Sequence, residues 1–201
     1  MSKAKRIGIY GGSFNPIHIG HLTVADEVKR RLSLDEIIFV PAGHPYFKDK
    51  ASMVEYRHRA NMVRLSTSDV PYFTVSDLES DPTKPSYTVP TLQTIKELNR
   101  GSKLFLIVGS DALLQMPKWY QADEIPELAT VISVGRPGDS DDSLREGVLK
   151  NLKLVSVPLD VKVSSTMVRS QIKSGGSFRY LVTDPVYSYI VAGRLYGYGG
   201  K

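Results

Sequence analysis

Short apolar runs recur along the chain, separated by segments of a different period. "KRIGIY" (5–10), "EIIFVP" (36–41), "KLFLIVG" (103–109), "ATVISVG" (129–135) and "LKLVSV" (152–157) are rich in β-branched residues. Runs of this length predict strands, and their nearly unbroken apolarity predicts a parallel sheet covered on both faces. Between them the period changes to three or four. Leu22, Ala25, Val28 and Leu32 line one face of a helix predicted over 19–32; 53–65 and 89–98 read likewise, the latter opening near Pro90. "RPGDSDDS" (136–143) predicts a surface loop before a helix at about Leu144, and "GYGGK" a frayed end. This alternation predicts an α/β fold: a Rossmann-like, doubly wound parallel sheet with helices on both faces and a C-terminal helical segment, with residues 1–201 as a single domain. There is no internal repeat.

Composition narrows the setting. With 41% apolar and 23% charged residues, the chain reads as soluble and globular. No apolar run approaches the roughly 20 residues that cross a bilayer, and the one after "MSKAKR" is too short for a signal peptide. A cytoplasmic protein without a membrane partner is the expectation. The absence of cysteine excludes disulfides, thiolate catalysis and Cys-ligated zinc. The net charge of +5 favours anions, and residues 161–180 carry Lys162, Arg169, Lys173 and Arg179 without an acid. Residues 41–64 are also basic, with only Asp49 and Glu55 as acids. Charge alone fits nucleic acid and small phosphate ligands equally. The cations lack interleaved aromatic residues, so no nucleic-acid partner is expected.

The chemistry concentrates in "GIYGGSFNPIHIGHL" (8–22), which holds two of the four histidines. Gly11 and Gly12 follow a strand and permit a tight turn, and a helix begins near Ile19. A glycine turn against a helix N-terminus suits phosphate, yet the residues match neither a Walker A loop nor G-x-G-x-x-G. His18 and His21, three apart across the helix start, can face one side. Two imidazole donors there suit phosphoryl or nucleotidyl transfer, where charge spreads over phosphate oxygens in the transition state. Gly20 between them would admit a flat base or ribose. A metal pair or two ordinary polar residues are the alternatives. In "VSSTMVR" (163–169), Ser164 or Ser165 can cap a helix, and Arg169 can fork onto phosphate oxygens.

"GGSFNPIHIGH" resembles the G-x-F-x-P-x-H-x-G-H signature of the HIGH-motif nucleotidyltransferases, and "VSSTMVR" is similar to their late S-x-T-x-x-R motif, which holds the triphosphate of ATP. "PSYT" (85–88), "GSDALLQMPKWY" (109–120) and "RPG" (136–138) resemble the bacterial nicotinate mononucleotide adenylyltransferases, from about Lys5 to Tyr196. The resemblance implies transfer of the adenylyl group of ATP to nicotinate mononucleotide, giving deamido-NAD and pyrophosphate. It implies His18, His21 and Arg169 as catalytic, with Gly11, Gly12, Ser13, Phe14, Gly20, Gly109, Asp111, Ser164, Ser165 and Thr166 binding ATP. His44, Lys48, Tyr87, Thr88, Trp119, Tyr120 and Arg136 would bind the mononucleotide. Asp111 reads alternatively as an N-cap, Trp119 as core, and His44 and Lys48 as solvated. Mg²⁺ would arrive with ATP, held chiefly by phosphate oxygens, with no protein metal ligand. A homo-oligomer stays open. Ser13-Phe14-Asn15 stands where the signature more often has Thr-Phe-Asp, and 41–48 lacks the usual paired prolines. The rivals are nicotinamide-mononucleotide and pantetheine-phosphate adenylyltransferases and, outside catalysis, a nucleotide sensor or RNA-binding module.

Overall fold

A computed structural model describes residues 3–44, 53–81, 83–135 and 152–199. Its strands are β1 (Arg6–Gly12), β2 (Glu36–Pro41), β3 (Phe73–Val75), β4 (Lys103–Gly109), β5 (Ala129–Gly135) and β6 (Leu154–Pro158). Its helices are α1 (Ile19–Arg31), α2 (Tyr56–Thr67), α3 (Thr88–Leu98), α4 (Ser110–Gln115), α5 (Ile125–Leu128), α6 (Ser165–Ser174) and α7 (Asp184–Ala192). The six strands lie in the order β3-β2-β1-β4-β5-β6, and β4 pairs in parallel with β1 and β5, as β5 does with β6. This is the doubly wound order, in which the reversal beside β1 is where such sheets bind ligands. The strands predicted over 36–41, 103–109 and 129–135 have those limits. No helix among the described residues is long and apolar enough to cross a membrane.

The chain forms two compact units. One comprises Met1–Gly11, Glu27–Ile38 and Tyr87–Asp160. Its core is strand-borne: Ile7, Ile37, Leu106, Ile107, Val131 and Ile132 are buried, and α3 adds Val89, Leu92 and Ile95 from one face. Arg6 is tied to the end of α1, donating twice to the Leu32 carbonyl, and its backbone N–H donates to the Asp35 carboxylate at 2.7 Å. Gly8 leaves room for the neighbouring chain. A Cβ there would stand 2.5 Å from Ile37 Cδ1 and 3.0 Å from Leu34 Cδ1. Gly8→Ala is therefore expected to cost about 1–3 kcal/mol by overpacking, read as a lower urea midpoint at unchanged slope; an unmoved midpoint would show the core yields freely.

The second unit comprises Gly12–Asp26, Phe39–Ser86 and Val161–Lys201. Phe14, Ile17, Phe39, Met62, Val63, Val168, Phe178, Val186 and Ile190 form its core. The predicted helix over 53–65 runs instead over 56–67, and the three-residue β3 was not anticipated. The chain end is not frayed through residue 199. Leu195–Gly197 makes a 3₁₀ turn, and Tyr198 meets the Phe178 ring edge-on at 6.1 Å. The helix expected at Leu144 and the loop 136–143 lie outside the described residues.

Candidate active site

In the second unit the residues after β1 form a turn whose geometry differs from the glycine turn expected. Gly11 and Gly12 complete the strand, and neither has a positive φ. The left-handed residue is Phe14, at φ +45°, with its side chain 1% exposed. A non-glycine residue in that region costs on the order of 1–3 kcal/mol and persists only where its surroundings offset that strain. Here Gly12 makes the space: a Cβ there would lie 3.1 Å from the Phe14 ring. Beyond Gly11 nothing lies within 4 Å of where a Cβ would be. The Phe14 ring meets His21 edge-on at 5.1 Å and packs against Phe39. Phe14 thus acts on the site by shaping it.

His18 closes this turn and α1 starts at the next residue, whose backbone N–H donates to the Leu181 carbonyl at 3.0 Å. The His18 and His21 rings stack, with centroids 3.7 Å apart and planes at 30°. The His18 backbone N–H donates to His21 Nδ1 at 3.2 Å. His21 Nδ1 is therefore the acceptor, and the neutral ring carries its proton on Nε2. Burial pushes the His18 pKa down to about 4, so this ring is neutral at pH 7, and its Nδ1 is buried without a partner. Two stacked rings would repel if both were charged. At the helix start, His18 is a neutral ring, and His21 accepts at Nδ1 with Nε2 as the donor. Gly20 serves these rings: a Cβ there would lie 3.0 Å from His18 Nδ1 and 2.8 Å from Val161. The space above Gly20 holds His18 and Val161, so its small size accommodates the imidazole.

The His18 environment has a stability consequence. Its folded pKa lies below the ordinary 6.5, so the unfolded chain binds more protons between about pH 6.5 and 4. The stability due to its neutral burial is complete above pH 6.5 and declines as pH falls toward 4, by about 3 kcal/mol. Urea unfolding at pH 7 and pH 4.5 should show this loss for the protein and a smaller one for His18→Gln. Equal losses in both would contradict the burial effect.

The second motif meets the first through hydrogen bonds. Ser164 caps α6, its hydroxyl accepting from the Met167 N–H at 3.1 Å. Ser165 instead donates to the Pro16 carbonyl at 2.8 Å. Arg169 donates to the Asn15 carbonyl at 2.8 Å and to Thr166 Oγ1 at 3.3 Å. The amide of Asn15 accepts from the Val54 N–H at 3.3 Å, so the neutral side chain serves as an acceptor. His44 pairs with the "PSYT" segment in both directions: its N–H donates to Ser86 Oγ and its carbonyl accepts from the Ser86 N–H, each at 3.1 Å. His44 Nδ1 is buried and has no partner.

The first unit carries the remaining candidates. Tyr87, at the N-cap of α3, stacks on Tyr120 with centroids 4.6 Å apart and planes at 21°. Thr88 opens α3, and Trp119 ends the 3₁₀ turn Met116–Lys118 with its side chain half-buried. Trp119 is thus no core residue. Gly109, not Asp111, is the N-cap of α4. Asp111 lies in the first turn, exposed, where the helix dipole favours its charge. No atom lies within 4 Å of a Cβ placed on Gly109. Lys48 and Arg136 lie outside the described residues. Among those described, no three His, Asp or Glu side chains gather as a metal site.

Two features escaped the sequence reading. One is Ser86, whose hydroxyl anchors His44. The other is Arg59, a residue only 1% exposed. Its signal was present in α2, where Arg59 shares the helical spacing of the buried Met62, Val63 and Ser66.

A parallel sheet wound 3-2-1-4-5-6, with paired imidazoles after its first strand, belongs to the nucleotidyltransferase class, and the cytidylyltransferase-like family model matches residues 9–171. A probable nicotinate-nucleotide adenylyltransferase of Dehalococcoides mccartyi (strain CBDB1) is 41% identical over 198 residues, covering 95% of this chain and 97% of its own. One from Carboxydothermus hydrogenoformans (strain ATCC BAA-161 / DSM 6008 / Z-2901) is 38% identical, covering 98% of this chain and 100% of its own. Plasmodium falciparum nicotinic acid mononucleotide adenylyltransferase complexed with NaAD superposes with a TM-score of 0.80 at 23% identity, over 97% of this chain and 98% of that one. That likeness shows the fold. The chain belongs to the nicotinate-nucleotide adenylyltransferase family.

Proposed function

We infer that this chain transfers the adenylyl group of ATP to nicotinate mononucleotide, giving deamido-NAD and pyrophosphate. The observation that carries the chemistry is the stacked His18–His21 pair at the start of α1, with His18 neutral and the His21 Nδ1 accepting from the His18 backbone. A phosphate oxygen of the mononucleotide attacks the α-phosphorus of ATP in line. The new P–O bond forms as the bond to the pyrophosphate oxygen breaks, and no covalent enzyme intermediate is required. The imidazole N–H groups stabilise charge on the α-phosphoryl oxygens without reorganising, which is where such donors act most strongly.

The leaving pyrophosphate falls to Arg169 and Thr166. The Ser165 hydroxyl proton is already committed to Pro16, so Ser165 tethers the two motifs. Gly11, Gly12, Ser13, Gly109, Asp111 and Ser164 complete the ATP contacts in this reading, while Gly20 makes room for the His18 ring. The stacked Tyr87 and Tyr120, with Thr88 and Trp119, serve the pyridine ring, and His44, Lys48 and Arg136 the mononucleotide's anionic groups. ATP enters as its magnesium complex. The donors here are imidazole, hydroxyl and guanidinium groups, which suit phosphate oxygens and not Mg²⁺, so the ion is held chiefly by the triphosphate. Incubation with ATP, Mg²⁺ and nicotinate mononucleotide is expected to give pyrophosphate and deamido-NAD in equal amounts, with no adenylylated protein by mass spectrometry. Absence of pyrophosphate, or a covalent adduct, would overturn this mechanism.

A further inference from the structure

Arg59 is a buried cation with an unusual set of partners. It rises from the first turn of α2, and its side chain donates to three carbonyls: Val54 at 3.0 Å, Ser13 at 2.7 Å and Gly43 at 3.3 Å. Among the described residues, the groups acting on its charge are Tyr196 and Tyr56, with no carboxylate among them, and burial lowers its pKa from the ordinary arginine value. A buried charge with no carboxylate partner among the described residues is expensive, and an apolar side chain of similar volume would hold a core at lower cost. The position of the residue suggests what it does instead.

The Ser13 carbonyl belongs to the peptide preceding Phe14. In a trans peptide the C=O and the following N–H point in opposite directions. Fixing the Ser13 oxygen inward therefore fixes the Phe14 N–H outward and sets the plane on which the left-handed φ of Phe14 turns. Arg169 and Ser165 hold two carbonyls beyond Phe14, those of Asn15 and Pro16. The strained residue is thus clamped from before by Arg59 and from after by α6. The ring it carries is the one that abuts His21.

We propose that Arg59 is a positioning residue for adenylyl transfer, holding the Ser13–Phe14 peptide so that the Phe14 ring fixes the orientation of the His21 imidazole. This rests on the catalytic reading of His18 and His21 given above. Lysine retains the charge but lacks the planar fork that reaches several carbonyls. Arg59→Lys should therefore lower kcat per folded molecule about 10- to 10²-fold, the cost of a small misplacement of catalytic groups, with KM for ATP changed less than about threefold. A direct readout is the ¹⁵N spectrum of the labelled histidines. Native His21 should show an unprotonated Nδ1 and a protonated Nε2, and Arg59→Lys should show a mixture of tautomers.

Arg59→Gln, which keeps two N–H donors without charge, provides the second variant and should retain more of the native tautomer than Arg59→Ala. An unchanged kcat per folded molecule, or an unchanged His21 spectrum in Arg59→Lys, would overturn the proposal. Failure of every variant to fold would also overturn it, assigning Arg59 to the core. If the unaltered protein releases no pyrophosphate, the catalytic reading itself has failed, whereas the histidine spectra still report on the positioning.

Discussion

His21→Ala is expected to lower kcat for pyrophosphate release by about 10²–10³-fold, the usual loss on removing one preorganised donor, with KM for both substrates within a few-fold. The reason lies in the fixed tautomer. The His18 backbone N–H occupies His21 Nδ1, so Nε2–H is the donor and needs no rearrangement as charge develops. His18→Ala should cost a similar factor. The rings are stacked at 3.7 Å, and in the proposed mechanism they act on one phosphoryl group, so the double variant should be little worse than either single one. Multiplying losses would show that the imidazoles act independently. Steady-state kinetics, with circular dichroism to confirm folding, settles the matter, and losses confined to KM would contradict a role in the transition state.

Replacing Arg169 should have an effect at least as large, because its guanidinium holds the Asn15 carbonyl while reaching toward Thr166. Arg169→Ala is expected to lower kcat/KM for ATP by about 10³-fold, the lower end for an arginine stabilising phosphoryl-transfer charge. Arg169→Lys should recover little, since a point charge lacks the bidentate fork. The discriminating measurement is product inhibition. If Arg169 holds the leaving group, inhibition by pyrophosphate weakens in parallel with the rate. Unchanged pyrophosphate inhibition alongside a loss of stability would reduce Arg169 to a tether for the turn.

The parts of this molecule legible in its sequence are those fixed by local pattern. Unbroken apolar runs such as "KLFLIVG" gave β4 its limits because a strand buried on both faces leaves no polar position inside it. The Ser164 cap was readable because capping is local. β3 escaped because its three residues are too few to show a period. The turn at Gly11-Gly12 was misread for a related reason. Glycines advertise conformational freedom, but the left-handed residue is Phe14, whose flanking carbonyls bond to Arg59, Ser165 and Arg169, 46 to 154 residues away in sequence. The same holds for Arg59. A basic residue among Arg57, His58 and Arg64 reads as solvent-facing until its helical neighbours are known to be buried. Pairings of this range carry no local trace.

The nature of the acceptor decides the central reading most directly. With ATP and Mg²⁺ fixed, kcat/KM is to be measured for nicotinate mononucleotide, nicotinamide mononucleotide and pantetheine phosphate, with products identified by mass spectrometry. Adenylyl transfer to nicotinate mononucleotide predicts deamido-NAD as the product and the highest kcat/KM for the acid. A preference for the amide or for pantetheine phosphate would contradict it, as would folded protein that turns over none of the three.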